Sequence, residues 1–297
     1  MSEALSLRLS EALTPAKIGK GVLIALVLLW SLGPIYWALN SSLMQPVDLT
    51  AVPPHAFPPA PTLKTYSGLL GLQGAADNAT GASIWPHFRA ATINSLVTAV
   101  AGTLGTIVVA ALGGYAFARL RFPGRNIVFG LVVATLAVPG YTVIIPLYRL
   151  MIKLGLVDTY LGLTLIYMSA FLPLALWLMR SFFLSLPKSL EEAAQIDGAS
   201  RLYTLFRIVL PLAMPGLIAT AIVTFLSVWQ QFSVPLVFSP TYATKPLTVM
   251  IPELASRHDL NFGLINAAGI LAILPPFVVV VFLNRFLVQG LTAGAGK

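Results

Sequence analysis

Charge is what this sequence has least of. Only 9% of its 297 residues are Asp, Glu, Lys or Arg, where a soluble domain carries roughly a quarter. With 57% apolar residues and a mean hydropathy of +0.86, too little polar surface remains to coat a water-facing globule, so lipid is the main solvent. The net charge of +8 does not point to nucleic acid, because the basic residues form no patch. They lie between apolar runs, as membrane flanks do. Cysteine is absent, which excludes disulfide scaffolds and thiolate metal sites. The three histidines, His55, His87 and His258, stand in separate polar segments without ligand spacing, and no metal site is expected. No G-x-x-x-x-G-K-[ST] phosphate loop occurs, so the chain does not bind ATP in the Walker manner. No internal repeat is visible either, as a duplicated transporter would show.

What is present is long apolar runs. Six stretches reach the ~20 residues that a bilayer-spanning helix needs: 21–39, 92–118, 126–148, 161–179, 212–229 and 263–284. None contains Asp, Glu, Lys or Arg. The first outruns a signal-peptide core and lacks a small-x-small cleavage site, so it reads as a retained helix. The expected fold is therefore all-α, a polytopic membrane protein of six transmembrane helices. A tail (1–20) precedes the six-helix domain (21–284), and a second tail (285–297) follows it. Lysine and arginine set the orientation. With the N-terminus inside, twelve basic residues lie on the cytosolic side and six outside, and the Arg119–Arg125 turn casts the strongest single vote. Both termini are then cytosolic. The outer segment 40–89 is proline-rich and reads as irregular chain with one short helix near 63–72. Its two sequons, at Asn40 and Asn78, are too short to carry weight. The outer segment 230–261 also carries four prolines. Neither segment is large enough to be a receptor domain.

Among the inside connections, the segment 180–211 stands apart. Ser189 followed by Glu192 reads as a capping box, Pro187 keeps the preceding chain out of helix, and Glu191 and Glu192 suit the positive end of a helix dipole. About two turns of helix are expected over 190–197, closed by Gly198 in a left-handed conformation. Ser200 then caps a second helix with Leu202, Leu205, Phe206 and Val209 on one face. Ala193 and Ala194 are small enough for a partner surface to approach closely, and Glu192 and Asp197 offer orienting charges. An amphipathic linker would share these features. A DNA-binding helix-turn-helix would look similar, but membrane spans a few residues away on both sides disfavour it.

The run Glu192-Ala193-Ala194, three residues, Gly198, nine residues, Ile208-Val209-Leu210-Pro211 resembles the EAA signature of ABC importer permeases. Every fixed position is filled, and the segment precedes the penultimate span, as in that family. The flanking strings YAFARLRFPG (115–124), GLVDTYLGL (155–163) and QGLTAGAG (289–296) are similar to the carbohydrate-uptake class related to the maltose transporter's G subunit. The resemblance covers essentially the whole chain and is weakest in the N-terminal tail and the outer segments. It implies a coupling helix seated in a groove of a separate ATPase subunit, carried by Glu192, Ala193, Ala194 and Gly198, with Glu191 beside them and Asp197 and Ala199 fitting the DGA form. It also implies a second permease chain, two ATPase subunits holding ATP and Mg, and an external solute-binding protein. The implied location is the inner membrane of a bacterium or archaeon. No cofactor or catalytic residue is expected on this chain. A role for 290–297 at the ATPase interface follows from the same resemblance.

Two rival classes remain. Ion-coupled carriers commonly keep ionisable residues within the membrane, and this chain keeps none there, although carbonyls and hydroxyls alone can hold sodium. A channel would show a filter loop or charged ring, and neither is visible. Uncharged polar groups do line the spans: Asn94, Ser95, Thr98, Tyr141, Thr142, Tyr167, Ser169, Thr224, Ser227, Trp229 and Asn266. A neutral polyhydroxylated solute would want such hydroxyl, amide and aromatic partners. Serine and threonine also bond back to helix carbonyls, and tryptophan anchors interfaces. The expected solute path runs past Asn94, Tyr141, Ser227, Trp229, Gln230 and Gln231. Glycines 102, 105, 113 and 114 should let helices approach closely, and Pro139, Pro146, Pro173, Pro275 and Pro276 should bend theirs.

Overall fold

The computed structural model describes residues 15–72, 84–255 and 261–295, the side chains of 15–18 and 284–295 excepted. Arg8, the Asn78 sequon, Arg257, His258, Gly296 and Lys297 lie outside the described residues, as do the side chains of Lys17 and Arg285. The regular structure of the described residues is helical, with no strand among them. That is the expected outcome where lipid offers backbone amides no partner, because a helix satisfies them within its own segment.

Two compact units are formed by residues 1–82 with 254–271, and by 83–253 with 272–297. In the first unit, α1 (Pro15–Ser42) carries Pro34 and exposes apolar side chains all round between Gly19 and Tyr36. Beyond it, a 3₁₀ turn (Asp48–Thr50) and α2 (Lys64–Leu69) interrupt otherwise irregular chain. The Asn40 carboxamide donates to His55 O at 3.1 Å, and the Ser42 and Tyr66 hydroxyls lie 2.6 Å apart. The short helix predicted near 63–72 is α2.

The second unit is built around α3 (Trp85–Arg119), a helix of 35 residues, about 52 Å at 1.5 Å per residue. Its main packing partner is α6 (Tyr160–Ser185), and α9 (Met214–Trp229) lies against both. Glycine makes the crossing possible. A Cβ at Gly105 would sit 2.5 Å from the Met168 sulfur, at Gly113 2.7 Å from Leu176, and at Gly114 2.8 Å from the Met179 Cβ and 3.0 Å from the Arg180 backbone nitrogen. The small-residue face expected in span two is this seam. Hydrophobic clusters fill both ends, one around Tyr115, Met179, Phe183 and Val209 and the other around Ala99, Tyr167, Phe225 and Phe238.

Two of the six expected spans are not straight. Among the described residues, four helices are long and apolar enough to cross a bilayer, and two further bent pairs bring the number to six if each is one broken span. Residues 126–148 divide into α4 (Arg125–Ala134), a 3₁₀ turn (Thr135–Ala137) and α5 (Gly140–Lys153), with a 101° bend between the halves. Pro139 has no amide to continue the ladder and holds Val138 extended at ψ 120°. Likewise, α8 (Arg201–Thr204) continues through a π-helical turn (Leu205–Val209) to Leu212, then bends by 73° into α9 ahead of Pro215. α7 (Ser189–Ile196) precedes α8. After α9 the proline-rich segment folds back as α10 (Ser233–Phe238) and α11 (Leu247–Ala255), and α12 (Phe262–Ala295) completes the chain.

Gly114→Val should therefore destabilise the fold in detergent by about 1–3 kcal/mol, the usual cost of overpacking. Gly130→Val, at a glycine with nothing within 4 Å, should leave thermal unfolding within experimental error of wild type. Equal melting curves for the two variants would contradict the seam.

Candidate functional site

The segment after α6 is ordered by one buried pair. Arg119 Nε lies 2.6 Å from Glu191 Oε1, with side-chain exposures of 5% and 9%; the two are in ion-pair contact without an aligned hydrogen bond. The Tyr115 hydroxyl donates to Glu191 Oε2 at 3.1 Å, and Arg119 Nη2 donates to Leu186 O at 2.8 Å. Together these fasten α7 and the chain entering it to the last turn of α3. Glu191 is thus turned inward, and Ala194 is buried beside it. Only the opposite face is open to a partner. It presents Glu192, Ala193 and Asp197, together with Ile196, which is 86% exposed. Ala194 lies on the inner face: with Glu191 inside, the residue three positions on is inside as well.

The capping box at Ser189 is also corrected. Lys188 is already helical, and its carbonyl takes the Glu191 and Glu192 amides at 3.0 and 3.1 Å. The amide that a Ser189 hydroxyl would have capped is therefore occupied. The C-terminal end follows expectation. Gly198 has φ +84°, the Ala199 amide reaches Ala194 O at 2.9 Å, and the Gly198 amide reaches Gln195 O at 3.1 Å. This is a Schellman closure with Gly198 at the left-handed position. Ser200 Oγ then accepts from the Tyr203 amide at 3.3 Å as predicted. The apolar face expected of the second helix divides: Leu205 and Val209 are buried, whereas Leu202 and Phe206 are exposed.

The polar residues of the spans separate into structural and accessible groups. Asn94 is consumed. Its amide nitrogen donates to Tyr242 O and Lys245 O, both at 3.0 Å, and its oxygen accepts from Tyr160 at 2.5 Å. Ser95 accepts from the Leu247 amide at 2.8 Å. Asp158, at φ 57°, accepts from Thr244 at 2.6 Å and from Thr241, and Lys245 pairs with Glu253 at 2.7 Å. These bonds pin the 230–253 segment onto α3 and the start of α6. Ser227 bonds back to Val223 O at 2.8 Å, as Thr98, Thr142, Ser169 and Thr224 do to their own helices. Trp229 stacks on Phe225 with centroids 5.7 Å apart and packs on the adjacent core. Gln230 is exposed and lines no part of the cavity that its neighbour Gln231 enters. Of the expected path residues, Asn94, Ser227 and Trp229 are thus engaged in hydrogen bonds or packing within the protein, and Gln230 lies outside this cavity.

Tyr141 and Gln231 are placed differently. They line one cavity of about 600 Å³, together with Ser169, Ser233 and the apolar chain around the Pro139 break. Ser233 Oγ donates to the Tyr141 hydroxyl at 3.2 Å. The break in α4–α5 is thus where irregular backbone borders a cavity, the setting in which a membrane interior tolerates it. Ser233 and the ion-pair roles of Tyr115 and Arg119 were not singled out from sequence. The only available signal for the pair was an arginine at the end of a span before an acidic helix start. Among the described residues, no cluster of His, Cys, Asp or Glu could hold a metal.

A truncation inside the pair should be costly. Glu191→Ala leaves Arg119 buried and uncompensated, and should destabilise the protein by about 3–5 kcal/mol in detergent unfolding. The double replacement Arg119→Met with Glu191→Leu should recover most of that loss. A surface-like loss below ~1 kcal/mol for Glu191→Ala would refute the buried latch.

Comparison with known proteins agrees with this architecture. The family described as "Binding-protein-dependent transport system inner membrane component" matches residues 107–293. The chain is 33% identical over 273 residues to the sulfoquinovosyl glycerol transport system permease protein of Agrobacterium fabrum, covering 92% of this chain and 91% of that one. It is 36% identical over 212 residues to the trehalose/maltose transport system permease protein of Thermococcus litoralis, covering 71% and 76%. The fold matches a chain from a crystal structure of a bacterial ABC transporter involved in the import of the acidic polysaccharide alginate. That match has a TM-score of 0.76 at 22% identity and covers 92% of this chain and 98% of that one. The matched region takes in the Arg119–Glu191 latch, the Gly198 turn and the broken span. The chain belongs to the binding-protein-dependent transport system inner membrane component family, the permease subunits of ABC importers.

Proposed function

We propose that this permease translocates a carbohydrate or related polyol, driven by ATP hydrolysed on a separate ATPase subunit that engages α7. The observation that carries the proposal is the two-sidedness of α7. Its inner face is locked to α3 through Glu191, and its outer face offers Ile196 and Glu192, which none of the described residues covers. Ile196 gives that outer face an exposed apolar contact for a partner groove. The Gly198 closure fixes the helix end, so that a displacement of α7 is delivered to α3 and α8 rather than absorbed in a loose turn. The assembly proposed is this chain, a second permease chain, two ATPase subunits carrying ATP and Mg, and an external solute-binding protein. The EAA-loop end and both termini face the cytosol of a bacterial or archaeal cell.

For the solute, the supporting feature is the cavity at the Pro139 break. A volume of about 600 Å³ lies within the ~300–1,000 Å³ range of small-molecule sites. Its polar lining is uncharged: Thr135, Tyr141, Ser169, Gln231 and Ser233. Hydroxyl and amide groups beside an aromatic ring match a polyhydroxylated solute, and carbohydrate uptake is what the named permease relatives share.

Gly198→Val should abolish uptake in vesicles containing the assembled transporter while leaving membrane insertion intact. A β-branched residue at φ +84° costs about 1–2 kcal/mol and distorts the turn. Uptake should need internal ATP and survive collapse of the proton gradient. Loss of uptake with the gradient, at constant ATP, would instead identify an ion-coupled carrier. Separately, Gln231→Ala or Tyr141→Ala should raise the solute concentration for half-maximal uptake about tenfold, in line with loss of one or two hydrogen bonds. Unchanged uptake kinetics in both variants would remove this cavity from the path.

A further inference from the structure

A second cavity, of about 620 Å³, opens beside the turn between α3 and α4. Four of its lining residues are cationic, namely Arg119, Arg121, Arg125 and Lys188, and no Asp or Glu lines it. Glu191 compensates Arg119, which leaves three positive charges around one concavity. Arg125 spends one nitrogen on Leu120 O at 3.0 Å, while Arg121 and Lys188 are exposed. Arg119 Nη1 is buried without a hydrogen-bond partner, in a side chain that is 5% exposed. Concentrating like charge around a hollow is unfavourable without an anion to share.

The cavity has an apolar lip on one side. Ile127, 70% exposed, and Leu184 line it, and Leu131, one turn further along α4, is 66% exposed. The same helix begins at Arg125 and runs into the span. Cationic groups therefore adjoin the apolar start of a candidate span, the pairing of chemistries that a phospholipid phosphate and its acyl chain present.

We infer that this cavity binds the phosphate headgroup of one anionic phospholipid, with an acyl chain lying along Ile127 and Leu131. Arginine and lysine would supply charge-assisted hydrogen bonds to the phosphate oxygens, and basic pockets at the ends of spans recognise such headgroups. A soluble phosphate would satisfy the cations but would leave the apolar lip unused. An acidic surface of a partner protein would reach Arg121 and Lys188 but would gain nothing from Ile127 and Leu131 in the span. The inference is independent of the solute assignment.

The test uses the assembled transporter released from nanodiscs of phosphatidylcholine and phosphatidylglycerol into native mass spectrometry. Wild type should retain one more phosphatidylglycerol than the triple variant R121Q/R125Q/K188Q, whose apparent affinity should fall roughly tenfold to a hundredfold. Ile127→Asn, which keeps all the charges, should also weaken retention, and so provides a reading if the triple variant fails to assemble. Equal retention by wild type and Ile127→Asn would overturn the inference. So would displacement of the lipid by glycerophosphoglycerol as readily as by phosphatidylglycerol, which would make this a soluble-anion site. Loss of the ATPase subunit from the triple variant at unchanged lipid retention would assign the cations to the partner and also overturn it.

Discussion

The second unit depends on a single buried ion pair at the end of its longest helix. Arg119 is a costly residue to bury, and Glu191 is costly for the same reason; each is tolerable only because the other is there. Their proximity fixes which face of α7 is inner and which is outer. It also brings the chain at Leu186 against α3 through the second guanidinium nitrogen. Without the pair, α7 would be a short amphipathic segment between two spans. With it, α7 is fastened to the last turn of α3.

α3 then carries that constraint across the protein. About 38 Å along the same helix, at 1.5 Å per residue, Asn94 is bonded to Tyr160, Tyr242 and Lys245. One helix therefore joins the loop end to the hydrogen-bonded segment at the opposite end. The glycine seam against α6 keeps it stiff, because residues so closely apposed leave little room for sliding. The accessible cavity lies beside this assembly, where α4 and α5 part at Pro139. α7, α3 and α6 are packed in series, and α6 and the Pro139 break both border the cavity.

The sequence made the broad fold readable because a bilayer imposes severe rules: apolar runs near 20 residues, no charge within them, and basic residues at their ends. It made the Gly198 turn readable for a similarly local reason, since glycine after two turns of helix has one common use. What the sequence did not show was mostly tertiary. Asn94 looked like a solute ligand because its type suits that role, but its hydrogen bonds are spent on residues roughly 150 positions away. Ala194 and Glu191 looked like partner contacts because the signature groups them with Glu192, yet helical periodicity separates their faces once one is anchored. Ser189 looked like a cap, but the helix begins one residue earlier. The break at Pro139 was foreseen as a bend, whereas its 101° magnitude depends on the packing of both halves. Gln231 and Tyr141 belong to the same pool of polar residues as the others, and their shared cavity sets them apart.

The most direct test of α7 as the element driven by a separate ATPase exploits the absence of native cysteine from this chain. Ile196→Cys, combined with single cysteines along a groove of the ATPase subunit, should form an intersubunit disulfide that arrests uptake and releases it on reduction. If the thiol introduced by Ile196→Cys stays open to water-soluble maleimide throughout the transport cycle, and never joins the ATPase, the account is contradicted.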